Sequence, residues 1–202
     1  RVPRGGERNG SAHIPVNSIA HLVAFDDGPF APAHLGDVPL IGVVFSGLRL
    51  DGVLRGRVRR DGANASRVIA GLVTGCRFRA HLQAVLLQGI AVAGFNVVDI
   101  HWLRAELGLP VIVAMRRRPD LGAVRQALLS KVPGGRRKWH LIERAGPVEP
   151  AGEIFIQRAG IPHEAAAELV ARLAVNSRVP EPLRTAHLIA AALGPVPSAQ
   201  RV

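Results

Sequence analysis

The chain has 202 residues, a hydrophobic fraction of 48% and a formal net charge of +11 at pH 7. This length and apolar content predict one folded domain with a substantial core and exclude a largely disordered chain. Cys76 is the only cysteine, which excludes an internal disulfide and a cysteine-cluster zinc site and is typical of a reducing cytosol.

Positive charge is carried almost entirely by arginine, since lysine occurs only at Lys131 and Lys138. A coding preference would explain the choice of arginine over lysine, but it would not explain the net charge. A basic surface favours polyanionic partners, nucleic acid first and an anionic membrane second. The absence of tyrosine and the aromatic fraction of 4% argue against a platform that stacks many single-stranded bases.

Nothing in the sequence predicts insertion into a membrane. No apolar run reaches the length of a membrane span, and residues 1–18 lack the apolar stretch of a signal peptide. We therefore expect a cytoplasmic protein without a membrane partner.

Apolar runs and turn residues, taken in chain order, predict strands over residues 19–25, 41–46, 48–58, 82–87, 110–115, 139–143 and 153–157. Helical periodicity predicts helices over residues 64–75, 96–107, 119–130, 162–174 and 182–193, and Asn96 is the expected N-cap of the second helix. Residues 1–18 are expected to form a mobile basic arm and residues 194–202 a flexible tail, which leaves residues 19–193 as the domain. This order of elements predicts an α/β fold with a mixed sheet and helices on both of its faces.

Two adjacent carboxylates, Asp26 and Asp27, follow the first buried strand, and Gly28 and Pro29 then turn the chain away. Ligands of open α/β sheets bind at the carboxyl ends of the strands, so acids at this point are well placed for chemistry. The alternative is that both aspartates merely begin a solvated turn.

Further acids lie at Asp51, inside the third predicted strand, and at Asp61, before the first helix. Carboxylates that converge on one sheet edge can hold Mg²⁺, which activates water and neutralises a scissile phosphate in metal-dependent nucleases. The alternative places Asp51 in solvent and Asp61 in a turn or a cap. The glycine-rich nucleotide fingerprints and the nucleophile elbow are both missing, so a nucleotide cofactor or a serine triad is not expected.

Basic residues follow the strand predicted over residues 110–115. Arg116 continues this strand directly and is well placed to receive a phosphate, while Arg117 and Arg118 fit equally well as a solvated run before a helix. His187 lies on the last predicted helix near Arg184, where an isolated histidine is usually only packed or exposed.

Five stretches together resemble the endonuclease dU family: FDDGPF (25–30), LDGVLRGRVRRDG (50–62), GIAVAGFNVVDI (89–100), LPVIVAMRRRPDL (109–121) and SRVPEPLRTAHLIA (177–190). The resemblance covers roughly residues 19–193. It implies a relative of endonuclease V with a ribonuclease H-like, three-layer α/β/α fold and a mostly parallel central sheet. It also implies an endonuclease that depends on Mg²⁺ or Mn²⁺, acts on nucleic acid with a deaminated base, DNA being favoured, and serves DNA repair.

The resemblance also assigns roles to individual residues. Asp26 matches a first-strand metal ligand with Asp27 beside it, and Asp61 is the candidate second acid, with Asp51 in reserve. Arg116 matches a basic residue at a strand end, and His187 matches a late helical histidine. Contacts with nucleic acid are expected from Arg116, Arg117, Gly89, Gly94, Phe95, Asn96 and Arg184.

One position departs from the pattern of the related sequences. Where they carry an aspartate at the end of the central strand, this chain has Gln88, which offers a neutral carbonyl oxygen to a metal. The expected metal ligands are therefore Asp26, Asp61 and Gln88. The loss of a carboxylate weakens Mg²⁺ binding, so either Asp27 compensates or the protein is a weak or inactive member that retains nucleic-acid binding. A third hypothesis is a structural protein whose charge is incidental.

Overall fold

The structure, a computed structural model, describes residues 19–193, and the predicted basic arm and tail lie outside this range. The strands are β1 His21–Asp27, β2 Asp37–Ser46, β3 Arg49–Arg59, β4 Ala84–Gln88, β5 Ala91–Val92, β6 Asn96–Val97, β7 Val111–Met115, β8 Glu149–Ala151 and β9 Ile154–Ala159. The helices are α1 Ala65–Thr74, α2 Ile100–Leu107, α3 Leu121–Lys131, α4 Gly135–Arg144, α5 His163–Leu173 and α6 Glu181–Ala192.

Seven strands form one central sheet in the order β3-β2-β1-β4-β7-β9-β8. The central strands β1, β4 and β7 are parallel, whereas each flanking pair is antiparallel. Five of the seven strands consequently run in the same direction, and the mixed, mostly parallel α/β sheet predicted from the sequence is confirmed. Strands β5 and β6 form a separate two-stranded hairpin.

The two faces of the sheet carry separate hydrophobic cores, because side chains alternate along each strand. In β1, Val23 and Phe25 pack in a core with α1 and α2, while Leu22 and Ala24 pack in a core with α5 and α6. Both cores consist of aliphatic and phenylalanine side chains that are almost completely buried. The result is a three-layer α/β/α arrangement, as expected from the resemblance.

A third, smaller hydrophobic cluster joins the α3–α4 helix pair to the β5–β6 hairpin. Leu128 of α3, Ile142 of α4 and Val97 of β6 are its buried members. Because this cluster is separate from both main cores, α3 and α4 form a unit that contacts the sheet chiefly through the β5–β6 hairpin.

Two predictions about local structure are wrong. Residues 139–143 lie in α4 rather than in a strand, because Gly135, Lys138 and Ile142 are buried at helical spacing. Asn96 is not the N-cap of α2: Asp99 has this role, and its side chain accepts a hydrogen bond from Trp102 N at 3.0 Å. The strand β2 begins at Asp37, earlier than predicted, and the short strands β5, β6 and β8 were not predicted. Strand β6 occupies residues that the prediction places in the second helix.

Among the helices described between residues 19 and 193, none combines the length and the apolar character needed to cross a membrane.

Candidate active site

The candidate site lies where the parallel strands β1, β4 and β7 end at one edge of the sheet. Phe25 pairs with Leu87, and Gln88 pairs with Ala114, so the three carboxyl ends are adjacent. Asp26 is the residue before the last of β1, Gln88 ends β4, and Arg116 directly follows β7. Strand alternation directs all three towards the face that is covered by α5 and α6.

Helix α6 brings His187 to this edge because it packs across both β1 and β2. His187 Nδ1 lies 2.8 Å from Asp26 Oδ2, a contact between residues 161 positions apart in sequence. Asp26 is only 6% exposed, and its Oδ1 accepts a hydrogen bond from Asp27 N at 3.0 Å. Burial raises the pKa of Asp26, an effect that the hydrogen bond from His187 partly opposes.

Asp27 points to the opposite face, as its position next to Asp26 in a strand requires. Its carboxylate accepts a hydrogen bond from the backbone N–H of Ala93 in the loop between β5 and β6. Burial raises the pKa of Asp27 to about 6, and the negative charge of Asp26 adds to the shift. The two adjacent aspartates therefore connect the sheet edge to two different elements.

A cavity of about 450 Å³ opens between the strand ends and α6, and both aspartates line it together with Gln88 and His187. Gln88 Oε1 is buried and has no hydrogen-bond partner among the described residues. A buried carbonyl oxygen without a partner is costly, and in the cavity that Asp26 and Asp27 also line this oxygen would be able to accept from a donor or bind a cation.

A second cavity, of about 240 Å³, adjoins the first along Gln88. It is lined by Gly89 and Arg116 at the strand ends, with an otherwise apolar wall that includes Met115, Ile154 and Pro180. Gly89 has a φ of 87°, and its backbone N–H donates to Ala114 O at 3.1 Å, which holds the loop against β7. The Arg116 side chain is exposed, and its charge lowers the pKa of Asp26.

Asp61 is engaged by the β5–β6 loop and does not line the cavity that contains Asp26. Its Oδ1 accepts a hydrogen bond from Phe95 N at 2.7 Å, and its Oδ2 lies 3.3 Å from Arg60 Nε. Its backbone N–H donates to Ala93 O at 2.9 Å. Gly94 is required here, because a Cβ atom on it would lie 2.4 Å from Asp61 Oδ1. Asp61 therefore fixes the loop whose Ala93 N–H reaches Asp27.

Two predicted residues have structural positions instead. Asp51 lies near the opposite end of β1, since β3 pairs with β2 beside Ser46 and Ser46 pairs with His21. There it forms an ion pair with Arg49 at 2.7 Å. Asn96 is completely buried, and its side chain bonds to Ala65 N, Arg59 O and Asn64 Oδ1, so no part of it faces solvent.

The other residues predicted to contact nucleic acid differ in whether their side chains are already bonded or packed within the protein. Arg184 Nε is engaged by Glu181, at 2.9 and 3.1 Å from its two carboxylate oxygens. Arg117 is exposed and makes no hydrogen bond or ion pair with any residue of the described range. The side chain of Phe95 packs in the third hydrophobic cluster, so it supports the loop.

Two residues at this edge were missed by the sequence reasoning. Ala93 supplies the backbone N–H for Asp27 and has a φ of 47°. An alanine in a sequence gives no sign of such a left-handed conformation. Lys138 is buried, and its ammonium group donates to the backbone oxygen of Asp61. In the sequence, the burial of Lys138 is indicated only by its helical spacing from Gly135 and Ile142. This spacing has a meaning only if residues 139–143 are helical.

The side chains at the cavity offer several oxygen atoms, and such a set suits a divalent cation. Within residues 19–193, no group of three His, Cys, Asp or Glu side chains is arranged as a metal site. The cavity instead combines the carboxylates of Asp26 and Asp27 with the unpartnered oxygen of Gln88. Oxygen donors of this kind suit Mg²⁺, and a cation would relieve both the desolvated carboxylates and the orphaned carbonyl.

Comparison with known proteins places these features in a family. The sequence model of the endonuclease dU family matches residues 18–194. A UPF0215 protein of Deinococcus radiodurans is 52% identical over 172 residues, which cover 85% of this chain and 88% of the relative. A solved protein of unknown function from Archaeoglobus fulgidus matches with a TM-score of 0.80 and 31% identity, covering 86% of this chain and 97% of that one.

The fold is also that of endonuclease V. The Ciona intestinalis endonuclease V, solved in complex with a 24mer DNA containing an inosine followed by a ribo-adenosine, matches with a TM-score of 0.56. The identity is 13%, and the match covers 84% of each chain, so the likeness concerns the ribonuclease H-like fold. Since the family model spans the whole described range, the chain belongs to the endonuclease dU family.

Proposed function

We propose that this protein is a metal-dependent endonuclease that cuts nucleic acid, preferably DNA, beside a deaminated base, and that it serves DNA repair. The family description names a nuclease and deoxyuridine, and the related Ciona enzyme was solved with inosine-containing DNA. The basic net charge of +11 suits a nucleic-acid substrate.

The observation that carries this proposal is the buried Gln88 Oε1 without a partner, placed in one cavity with Asp26, Asp27 and His187. Buried side-chain oxygens are usually paired with a donor, and this one shares its cavity with two carboxylates. The three oxygen-bearing side chains would hold Mg²⁺ or Mn²⁺, which, when bound, lowers the pKa of a coordinated water and neutralises charge on the phosphate.

The other residues would bind and orient the substrate. Arg116 would bind a phosphate of the strand to be cut, because it stands exposed at the same sheet edge. Asp26 orients His187 through Nδ1 and leaves Nε2 without a hydrogen bond in the described chain. When both ring nitrogens of His187 are protonated, Nε2 would donate its proton to the leaving oxygen, and the neutral imidazole that remains would keep its Nδ1–H on Asp26. Asp61 would keep the β5–β6 loop in place and act through it.

A specific observation also supports a second candidate. Gln88 brings no charge, so the site has two carboxylates where the related pattern has a further aspartate. Such a site binds a divalent ion more weakly. The second candidate is therefore a member of the same fold that binds nucleic acid but cuts it slowly or not at all.

A cleavage assay tests both candidates. Labelled strands that contain one deoxyuridine or one deoxyinosine are incubated with Mg²⁺ or Mn²⁺, and with EDTA as the metal-free arm. The proteins are the wild type, Asp26→Asn, Gln88→Asp and, as a matched control at the other end of the sheet, Asp51→Asn. We expect the wild type and Asp51→Asn to cut equally, and Asp26→Asn to be slower by about two orders of magnitude or more.

The outcomes separate the two candidates. Cutting that requires metal and Asp26 supports the endonuclease. If the wild type is silent and Gln88→Asp cuts, the site has decayed on an intact scaffold and the second candidate holds. Equal loss of activity in Asp26→Asn and Asp51→Asn would contradict the assignment of the site to this edge of the sheet.

A further inference from the structure

Basic charge in the described chain is concentrated in one segment, residues 116–144. It contains nine arginine or lysine residues and only two acids, Asp120 and Glu143. In the rest of residues 19–193, thirteen basic residues are balanced by twelve acidic ones. A coding preference for arginine would act along the whole chain, so it does not explain an excess confined to α3, α4 and the three arginines before them.

Helix α4 separates its charged side from its packed side. Gly135, Lys138 and Ile142 are buried and face the body of the protein at helical spacing. The exposed side carries Arg136, Arg137, His140 and Arg144, with one acid, Glu143, which accepts a hydrogen bond from Trp139 Nε1. Only Arg144 on this side has an acidic partner among the described residues, namely Asp99. The charge of α4 is consequently presented to solvent as one surface.

Several cations of this segment are exposed and unpaired. Within residues 19–193, the side chains of Arg117, Lys131, Arg136 and Arg137 make no hydrogen bond or ion pair. Elsewhere in the described part of the fold Arg158 and Arg184 each pair with a glutamate, whereas Arg55, Arg67 and Arg178 are also exposed and unpaired, so the segment differs in how many cations it brings together. Unpaired neighbouring cations repel one another, and a polyanion would relieve this repulsion.

The segment is also held in a fixed shape. A Cβ atom on Gly135 would lie only 1.8 Å from Leu128 O, so α3 and α4 cross with their backbones in close contact. The Arg125 guanidinium lies 5.9 Å from the centre of the Trp139 ring, and Lys138 is bonded to the backbone of Asp61. The backbone of α3 and α4 therefore needs little ordering when a ligand binds, and the entropy lost is that of the exposed side chains.

We propose that residues 116–144, which we term the basic hairpin, form a second nucleic-acid-binding surface that holds the phosphodiester backbone flanking the candidate site. The inference deepens the proposed function and rests on its nucleic-acid substrate. The basic hairpin begins at Arg116, which lines the cavity beside Gln88, and it packs on the β5–β6 loop that contacts Asp27. A strand bound in the site can therefore continue over α3 and α4.

A nucleic acid fits this surface better than an anionic membrane does. Membrane-surface helices place an apolar face in the lipid. The apolar residues of α4 are already used, since Ile142, Leu141 and Trp139 pack in the third hydrophobic cluster against Leu128. The exposed arginines that remain suit phosphate groups through bidentate hydrogen bonds.

The test measures binding without cleavage. Fluorescence anisotropy in EDTA follows a labelled, unmodified 30-base-pair DNA duplex and a single strand of equal length between about 50 and 200 mM salt. The double variant Arg136→Gln with Arg137→Gln is compared with the wild type. The matched control is Arg55→Gln with Arg57→Gln, which removes the same charge from exposed positions of β3. Circular dichroism and thermal unfolding establish that both variants are folded.

We expect the α4 variant to bind at least about tenfold more weakly at 100 mM salt, and its salt slope to be smaller by about two, one for each lost phosphate contact. The β3 control should keep the slope of the wild type. Equal changes in both variants, or no change in either, would overturn the proposal. Pelleting with phosphatidylserine vesicles is measured for the same proteins. The proposal would also be overturned if the α4 variant lost vesicle binding but kept normal DNA binding, since this outcome would assign the surface to membranes.

The result stays separate from the fate of the proposed function. If DNA binding depends on Arg136 and Arg137 but no substrate is ever cut, the proposal for the basic hairpin is supported and the proposed endonuclease activity is contradicted. If the wild type cuts deaminated DNA while the α4 variant binds normally, the endonuclease stands and the basic hairpin fails.

Discussion

At the scale of single residues, two neighbouring aspartates have different surroundings because β1 alternates its side chains between the faces of the sheet. Asp26 meets His187 of α6, whereas Asp27 meets the backbone of Ala93. The two residues are nevertheless neighbours, and the negative charge of Asp26 raises the pKa of Asp27. A sequence motif of two acids thus links one cavity to elements on both faces of the sheet.

Asp27→Asn should stabilise the metal-free protein at neutral pH. Burial raises the pKa of Asp27 from 3.8 to about 6, so the folded protein holds this proton more tightly than the unfolded chain does. Stability is accordingly lost as pH rises from about 4 to about 6, and the full cost remains above that range. The variant should gain about 1–3 kcal/mol at pH 7.5 and almost nothing at pH 4, because asparagine stays neutral and still accepts from Ala93.

Urea unfolding in EDTA at the two pH values measures this difference. Asp51→Asn is the control, because this half-buried acid pairs with Arg49 and has its pKa lowered by that hydrogen bond. An equal gain from Asp27→Asn at pH 4 and pH 7.5 would show that ionisation of this carboxyl is not the cause.

At the scale of elements, the β5–β6 hairpin is a small unit on which the rest of the site depends. Asp61 bonds to the loop of this hairpin at Ala93 and Phe95, while the third hydrophobic cluster packs its strands against α3 and α4. The hairpin has only two residues in each strand, so it lacks the size to be stable alone. Its conformation is therefore imposed by Asp61 and by the cluster.

Gly94→Ala should disrupt this hairpin more than backbone strain alone would. Gly94 has a φ of 81°, and the added Cβ would press on Asp61 Oδ1, which is held by Phe95 N. The matched control is Gly108→Ala at the end of α2, where φ is 67° and no atom lies within 4 Å of the added Cβ. Both variants pay about 1–2 kcal/mol for the left-handed conformation, and Gly94→Ala should lose about 1–3 kcal/mol more.

Thermal and urea unfolding of the two glycine variants give this comparison directly. A loss at Gly94 no larger than the loss at Gly108 would mean that the Asp61 carboxylate yields freely, and its role in holding the loop would have to be abandoned.

At the scale of the whole molecule, charge is divided between two regions. Acids and an unpartnered amide oxygen meet at the carboxyl edge of the sheet, and most of the excess positive charge lies on the basic hairpin next to that edge. A cation and a polyanion would each find complementary groups, side by side, in this arrangement.

Binding of Mg²⁺ should therefore increase the free energy of unfolding. About 10 mM MgCl₂ should raise the free energy of unfolding of the wild type by about 1–2 kcal/mol relative to EDTA, since an ion that binds only the folded state stabilises it. Asp26→Asn should lose this gain. Gln88→Asp should be less stable than the wild type in EDTA, because a third carboxylate is buried, and should gain more from Mg²⁺.

Scanning calorimetry with and without MgCl₂ provides the measurement, and NaCl of equal ionic strength controls for screening. Equal stabilisation of the wild type and Asp26→Asn would place the ion elsewhere on the protein.

Much of the fold could be read from the sequence because its signals are local. The buried strand before Asp26, the apolar runs of β4 and β7 and the periodicity of α1 and α6 each depend on neighbouring residues. These signals gave the α/β class and placed Asp26, Gln88 and Arg116 at strand ends. The five residues 139–143 by themselves fit a short strand, whereas the helical spacing of buried positions becomes visible only over the longer window that starts at Gly135.

Other features were decided by tertiary structure alone. The contact of His187 with Asp26 depends on the packing of α6 across β1 and β2, and the role of Asp61 depends on a loop more than 30 residues away. The isolation of Asp51 follows from the register of β3 on β2. The sequence by itself determined the elements and the chemistry available at their ends, because propensity and side-chain alternation are local. Only the packing of distant elements decided which of these side chains share a cavity.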